Sequence, residues 1–318
     1  MTAQTQTQTA KRKSALADIL FRLIKEKPVG AVGGVIVVLL LFVGIFSNFI
    51  APYGMNDVHL AHRLEAPSIQ HLLGTDQLGR DTFSRIIYGA RISTIIGVSA
   101  TLLNIVIAII IGTTSGFFGG KFDTIMQRFV DAWMSFPSLL ILITVMSLVG
   151  TGLIQIILVL GISGGISSSR VVRSAVMGIR ENIYILASKV IGVPTPMTLI
   201  QHIIPNIMAP IIIIFSTTIG SVILSEAALS FLGFGLPPDI ASWGGMLSAE
   251  GRQYMEIAPR LALWPGICLT TVVWGMNIFG DALRDLLDPR MRGGVGRLGN
   301  LGAKKIQKFL IKRQVLKN

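Results

Sequence analysis

Six long apolar runs, separated by polar stretches that hold most of the charge, restrict this chain to the architectures a lipid bilayer tolerates. They are Val29 to Ile50, Ser93 to Phe117, Ile125 to Val149, Leu153 to Ile166 with an extension past Arg170, Ile203 to Ala228, and Leu261 to Ile278. A helix needs about 20 mostly apolar residues to cross the hydrocarbon, where every backbone amide must be satisfied within the segment. The fourth run has the lowest hydropathy because it is rich in Gly and Ser. Only 14% of the residues are charged, against about 25% in soluble domains, which makes a soluble fold a poor reading. Aromatics make up 7%, so the apolar mass is mainly Ile, Leu, Val and Ala, which suits helices better than a barrel wall with aromatic girdles. The expected fold is all-α, a polytopic membrane bundle of six transmembrane helices.

Basic residues set the orientation, since Lys and Arg concentrate on the cytoplasmic side. With the N-terminus inside, the inner segments carry six, two, four and ten of the 28 basic residues, and the outer segments carry the other six. Both termini are therefore expected in the cytoplasm. The organisation that follows is an N-terminal cytoplasmic tail over 1–28, a first membrane helix over 29–50 and an extracytoplasmic segment over 51–92. A five-helix core then spans 93–290, with an inner loop at 174–203, and a basic cytoplasmic tail spans 291–318. The first ten residues, rich in Thr and Gln, read as a disordered tail. In the basic tail Ile306, Phe309, Leu310 and Ile311 alternate with lysines, a pattern that fits either an interfacial helix on anionic lipid or a solvated tail. The net charge of +12 is distributed between membrane runs rather than on one soluble face, which argues against nucleic acid as a partner.

The inner loop carries the functional argument. In SAVMGIRENIYILASKVIGVPTPMTLIQHIIPN, Ser174 to Asn206, the residues Ile183, Leu186, Ala187, Val190 and Ile191 recur at helical spacing with Arg180, Glu181 and Lys189 off the stripe. Gly192 sits where helices end in glycine, Val193-Pro194 prevents continuation, and Thr195-Pro196 fits a fresh N-cap with a first-turn proline. The expected product is a helix, a sharp turn and a second short helix. From pattern alone, the apolar stripe either folds back on the chain's own helices, lies at the lipid surface, or serves a partner. The segment resembles the loop of ABC-importer permeases in which Glu-Ala-Ala, three residues, Gly and a later Leu-Pro form the coupling helix. Here those positions hold Leu186, Ala187, Ser188 and Gly192, then Ile204 and Pro205, so Leu186 stands where the family has Glu.

The resemblance extends along the chain, through GTDQLGRD (Gly74 to Asp81) and YGARIS (Tyr88 to Ser93), then Asp123, Arg128 and Asp131 ahead of Pro137. It continues with EAALSFLGFG (Glu226 to Gly235), PPDIASWG (Pro237 to Gly244) and GDALRDLLDPR (Gly280 to Arg290). Together these are similar to the dipeptide, oligopeptide and nickel permease family of ABC importers. The resemblance implies the type I permease fold in a prokaryotic plasma (inner) membrane and a peptide cargo, with nickel, glutathione or short oligosaccharides as alternatives. It also implies a second homologous permease, two ATP-binding subunits that hold ATP and Mg, and an extracytoplasmic substrate-binding protein. ATPase coupling falls on Leu186, Ala187, Ser188, Gly192, Val193 and Pro194.

Other residues carry open readings. Glu226, a carboxylate inside an apolar run, is either hydrogen-bonded structure or pore lining. Phe231 and Trp243 flank a loop rich in Gly and Pro that is either a re-entrant gate or an interface anchor. Thr75 or Asp76 is placed to cap an outer helix, and Arg80 to pair with Asp76 or Asp81, which reads as extracytoplasmic scaffolding. His59, His62 and His71 fit no metal motif and read as exposed or capping residues. Arg128 and Asp131, three apart, read as a salt bridge. Gly30/Gly34, Gly116/Gly120 and Gly161/Gly165 permit close helix packing within the chain or against a second subunit. Cys268, the single cysteine, allows no intrachain disulfide. A phosphate-binding loop, a nucleophilic triad and a HExxH site are missing, so the chain is expected to be no enzyme and to bind no cofactor itself. A self-contained secondary transporter would require more ionisable groups within the membrane than one deep Glu.

Overall fold

The computed structural model describes residues 15–287, and all their regular elements are helical. The expectations for the first ten residues and for the tail over 291–318 lie outside the described residues. A short amphipathic helix α1 (Ala15–Glu26) leads into α2 (Pro28–Ile45) and the single turn α3 (Ser47–Ile50). Within α1, which is too short to span, hydrogen bonds from Arg22 hold the exposed Glu26 carboxyl below its ordinary range. The long helix α4 (Thr82–Phe118) is followed by α5 (Gly120–Met134), α6 (Ser138–Val149) and α7 (Leu153–Ile179). Next come α8 (Ile183–Val190) and α9 (Thr195–Thr198), which runs through π-helical and 3₁₀ turns into α10 (Met208–Phe231). A return loop holding the short α11 (Trp243–Gly245) leads to α12 (Arg260–Leu287).

Among the described residues, five continuous helical stretches are long and apolar enough to cross a membrane, and the bent pair α5 and α6 supplies a sixth span if taken as one. That third run, expected to be one span, bends by 87°. Pro137 explains the break, since it lacks an amide proton and pushes Phe136 out of helical geometry. Ser135 Oγ donates to the Ala132 carbonyl left at the end of α5. The second span starts at Thr82 rather than Ser93, because Asp81 supplies an N-cap that the apolar count could not see. The fourth is continuous past Arg170 to Ile179 despite its glycines and serines.

Helix α4 is the axis of the bundle, pairing along most of its length with α7 and touching α2 and α10 on its other sides. Glycine makes the α4–α7 seam close: a Cβ at Gly112 would lie 2.6 Å from Val172 Cβ, and one at Gly165 would lie 2.7 Å from Ile107 Cβ. Gly161 and Gly116 sit on the same seam, while Gly30 and Gly34 pack on Ala282 and Phe279 of α12, so these glycines serve contacts inside the chain. Gly120 differs from the expected packing pair: its φ is +56° and no atom lies within 4 Å of a Cβ placed there, so it turns the chain into α5. Lys27 Nζ reaches Asp285 Oδ2 at 2.6 Å and fastens the start of α2 to the end of α12.

Among the described residues four buried apolar clusters form, a small one of Leu23, Ala282 and Leu286 joining α1 to α12 and three larger ones filling the bundle. Ile96, Met146, Ile156 and Leu229 join α4, α6, α7 and α10, and Leu40, Ile223, Trp243 and Met276 join α2, α4, α10, α11 and α12. The third, Phe117, Val176, Ile185, Ile203 and Ile211, draws α8 into the bundle. The remaining faces stay apolar and exposed, as with Val35, Val38 and Ile45 on α2, which suits lipid contact. Gly112→Leu is expected to lower stability by about 1–3 kcal/mol through overpacking, read as a fall in Tm in detergent. Gly178→Ala, where a Cβ meets no atom within 4 Å, is expected to hold or raise Tm.

Candidate functional site

The elbow at α8 is positioned from three sides. Ile185, fully buried, plugs the cluster formed by Phe117, Val176 and Ile203. Arg180 Nη1 donates to Gly116 O at 3.0 Å, placing a cation on the carbonyl end of α4, where the helix dipole favours it. Ser188 is buried and its Oγ donates to Ile185 O at 2.8 Å. The helix ends at Gly192 with φ +80°, and Val193 N donates to Ser188 O at 3.0 Å, the glycine-terminated closure the spacing anticipates. The following cap is one residue off the expectation: Pro194, not Thr195, occupies the N-cap, and its carbonyl accepts from Thr198 N at 3.0 Å. That short helix does not stop. Pro205 would break an α ladder, and the chain passes it by widening to a π turn and tightening to a 3₁₀ turn, with Asn206 Nδ2 donating to His202 O at 2.6 Å.

With Ile185 and Ser188 turned inward, the rest of the stripe faces out. Ile183, Leu186, Ala187, Val190 and Ile191 are exposed, as are Gly192 and Pro194, while Val193 is half-buried. The exposure reaches 85% at Ile183 and 88% at Val190, too much for an interior helix face. An apolar edge of this kind is one that lipid or another chain would cover.

Beside the elbow, α5 is tied to α7 by two ion pairs. Arg173 Nε and Nη2 reach Asp123 at 2.6 and 2.5 Å, and Arg170 pairs with Asp131. The Arg128–Asp131 pair expected from sequence is long, 3.8 Å, because Arg170 from α7 takes the carboxylate.

On the opposite face of the bundle, the segment before α4 forms a buried polar knot. Asp76 Oδ1 accepts from the backbone amides of Leu78 and Arg80 at 2.8 and 2.9 Å, and its Oδ2 accepts from Arg80 Nε at 2.6 Å. Arg85 Nε lies 3.7 Å from the same carboxylate. The helix cap is Asp81 rather than Thr75 or Asp76, since its Oδ2 accepts from Ser84 N at 2.8 Å. His71, expected to be exposed or capping, is buried with Nδ1 3.0 Å from Asp81 Oδ1. Arg260 Nη2 donates to Leu64 O and Glu65 O at 2.8 Å and fastens the knot to the head of α12.

Glu226 lies fully inside the bundle, accepting from Ser230 Oγ at 2.7 Å. Trp243 is also buried, donating from Nε1 to Ile86 O at 3.1 Å and covering Gly89. The return loop therefore re-enters the bundle and packs on α4 and α10. Phe231 remains partly exposed, with the Arg252 guanidinium 5.6 Å above its ring. A cavity of about 310 Å³ opens between Arg80, Arg85, Thr151, Ser230, Pro237 and Ser248. Sequence reasoning missed a second, hydroxyl-lined cleft at membrane depth around Asn104, Ser163 and Ser221. The signal that points to it is the spacing of Thr218, Ser221 and Ser225 on one face of an otherwise apolar run.

A bundle of membrane-spanning helices with a projecting apolar elbow belongs to the class of multi-pass membrane transport components. Residues 104–293 match the "Binding-protein-dependent transport system inner membrane component" family and residues 14–67 match the "N-terminal TM domain of oligopeptide transport permease C". The chain belongs to the binding-protein-dependent transport system inner membrane component family, and it works with other transporter subunits. It is 39% identical to the oligopeptide transport system permease protein OppC of Bacillus subtilis (strain 168), over 89% of this chain and 92% of that protein. It is 35% identical to the dipeptide transport system permease protein DppC of Alkalihalophilus pseudofirmus, over 86% of this chain and 89% of that protein. It is 34% identical to the glutathione transport system permease protein GsiD of Pectobacterium atrosepticum, over 86% and 90%. The solved MetNI methionine ABC transporter in inward-facing conformations is similar at a TM-score of 0.48 and 15% identity, covering 64% of this chain and 96% of that one.

Asp76→Ala is expected to cost about 3–5 kcal/mol, because it removes the carboxylate that pairs with the buried guanidinium of Arg80. Asp131→Ala, at an exposed pair, is expected to cost about 1 kcal/mol or less. Thermal unfolding of the two variants in the same detergent measures the contrast.

Proposed function

We propose that the chain forms half of the translocation pathway of an ATP-driven importer for peptides and receives the stroke of partner ATPases through α8. The observation that carries this reading is the outward stripe of Ile183, Leu186, Val190 and Ile191 on a helix whose inner face is already satisfied by Ile185 and Ser188. Such a stripe is complementary to a groove on another subunit and is costly to leave in water: full burial of each large aliphatic side chain contributes about 1.5–3 kcal/mol. The other subunits in this reading are a second homologous permease, two ATP-binding subunits that hold ATP and Mg, and an extracytoplasmic substrate-binding protein. The excess of basic residues on the elbow side supports cytoplasmic termini in a prokaryotic plasma (inner) membrane. The names of the OppC and DppC relatives support peptide cargo, and the GsiD relative makes glutathione the second reading. Energetically, ATP binding in the partners shifts the bundle between states only to the extent that contacts at α8 differ between them.

Ala187→Glu places a charge on the exposed edge without touching the core. It is expected to lower ATP-dependent peptide uptake at least about tenfold, the equivalent of 1.4 kcal/mol of lost docking, and to reduce copurification of the ATPases. Gly192→Val is expected to act similarly through backbone strain at φ +80°. Full uptake together with an intact complex in both variants would refute coupling at this elbow.

A further inference from the structure

Helix α1 turns back on the bundle. Lys27, between α1 and α2, leaves helical geometry with φ −136° and ψ 67°, and Pro28 follows it at the start of α2. A Cβ at Gly30 would lie 3.4 Å from Leu23 Cδ1, and one at Gly34 would lie 3.9 Å from Leu23 Cδ2. In one straight helix residues 23 and 34 would stand about 16 Å apart, at about 1.5 Å of rise per residue. The chain therefore folds at Lys27, and α1 lies beside the first two turns of α2 rather than extending it. Leu23 fixes it there, packed with Ala282 and Leu286 at the end of α12.

Leu23 is the covered edge of α1, and a wedge beside it is bare. Leu20, Phe21 and Ile24 share that wedge at helical spacing and are exposed, to 66% at Ile24. Lys25 borders it, with Nζ 5.7 Å from the centroid of the Phe21 ring and no ion pair among the described residues. Arg22 and Glu26 pair with each other away from the wedge. Val29 and Val32, on the turns of α2 that α1 lies beside, are exposed as well. The bare wedge thus stands level with an apolar span, where the surrounding medium is hydrocarbon rather than water. Its border is basic, and residues 11–27 hold six basic side chains against two acidic ones.

We propose, resting on the cytoplasmic placement of the termini above, that α1 is an in-plane anchor for anionic phospholipid of the inner leaflet: Leu20, Phe21 and Ile24 enter the acyl layer, and Lys25 meets the phosphate. An amphipathic helix with a basic border lies in the interface with its apolar face sunk about 5–10 Å. The lysine stem runs along that apolar face and carries its ammonium out to the headgroups. Because Leu23 grips α12 and Lys27 pairs with Asp285, the anchor sets the depth of the inner ends of both α2 and α12.

Two measurements on the complete complex in phospholipid vesicles test it. With Cys268→Ala and cysteine-free partner subunits, a spin label at Leu20→Cys is expected to be reached by dissolved oxygen and not by a water-soluble nickel chelate. A label open to the chelate faces water, and one shielded from both is covered by another protein chain; either result would overturn the proposal. Phosphatidylglycerol with a photoactivatable acyl chain is expected to label α1 at least about fivefold more than phosphatidylcholine with the same chain, the effect of one cation near an anionic surface. Lys25→Ala, at an exposed position, is expected to lower that preference about fivefold. Equal labelling by the two lipids in the unaltered chain, or a preference that Lys25→Ala leaves intact, would sink the anionic assignment. An impermeant reagent that reaches Lys11→Cys from outside intact cells would refute the cytoplasmic placement, and with it the inner leaflet, while the two lipid readouts would still judge the contact itself.

Discussion

Close approach of α4 and α7 is the contact on which the other features hang. Gly112 and Gly116 on one helix, with Gly161 and Gly165 on the other, bring backbone against side chain without a Cβ between them. In lipid the hydrophobic effect gives helices no reason to associate, so van der Waals contact along such a seam takes its place. Its consequences run to both ends. Arg180, just past the end of α7, reaches the carbonyl of Gly116 and sets where α8 begins. At mid-depth the same seam brings Asn104 against Gly164 and shapes the hydroxyl cleft.

Charges are used differently at the two ends. The Asp76–Arg80 and His71–Asp81 contacts are buried and over-determined, with backbone amides completing the carboxylates. Breaking such a group leaves a stranded charge, so the segment before α4 behaves as a rigid cap. The Arg170–Asp131 pair between α5 and α7 is largely exposed and contributes little to stability. Next to that exposed pair, the two-armed contact of Arg173 with Asp123 is partly buried, so α5 is tied to α7 by one weak and one stronger link.

Much of the site was legible because glycine and proline act locally. Gly192 ended α8 with positive φ as its position implied, and the pattern of Ile183, Leu186 and Val190 marked the face that is now seen exposed. Caps were less legible. The carboxylate that caps α4 is Asp81, since the turn through Gly79 points Asp76 back at its own loop, and no period-based reading distinguishes two aspartates five residues apart. His71 is expected to be exposed or capping and Trp243 to belong to a re-entrant gate or an interface anchor, and no local pattern chooses between these. Their burial depends on partners distant in sequence for Trp243, the Ile86 carbonyl, and on a turn closure for His71.

By itself the sequence determined the all-helical membrane class, the approximate spans and the elbow, because apolar run length, basic-residue asymmetry and a Gly-Val-Pro stop are local and additive properties. Only the tertiary structure decided which face of α8 is left over, which carboxylate each arginine takes, and that serines on α7 and α10 meet Asn104 around one cleft. Those outcomes depend on helix rotation and on contacts between residues far apart in the chain, and a one-residue change of rotation would pair them differently without altering any local pattern.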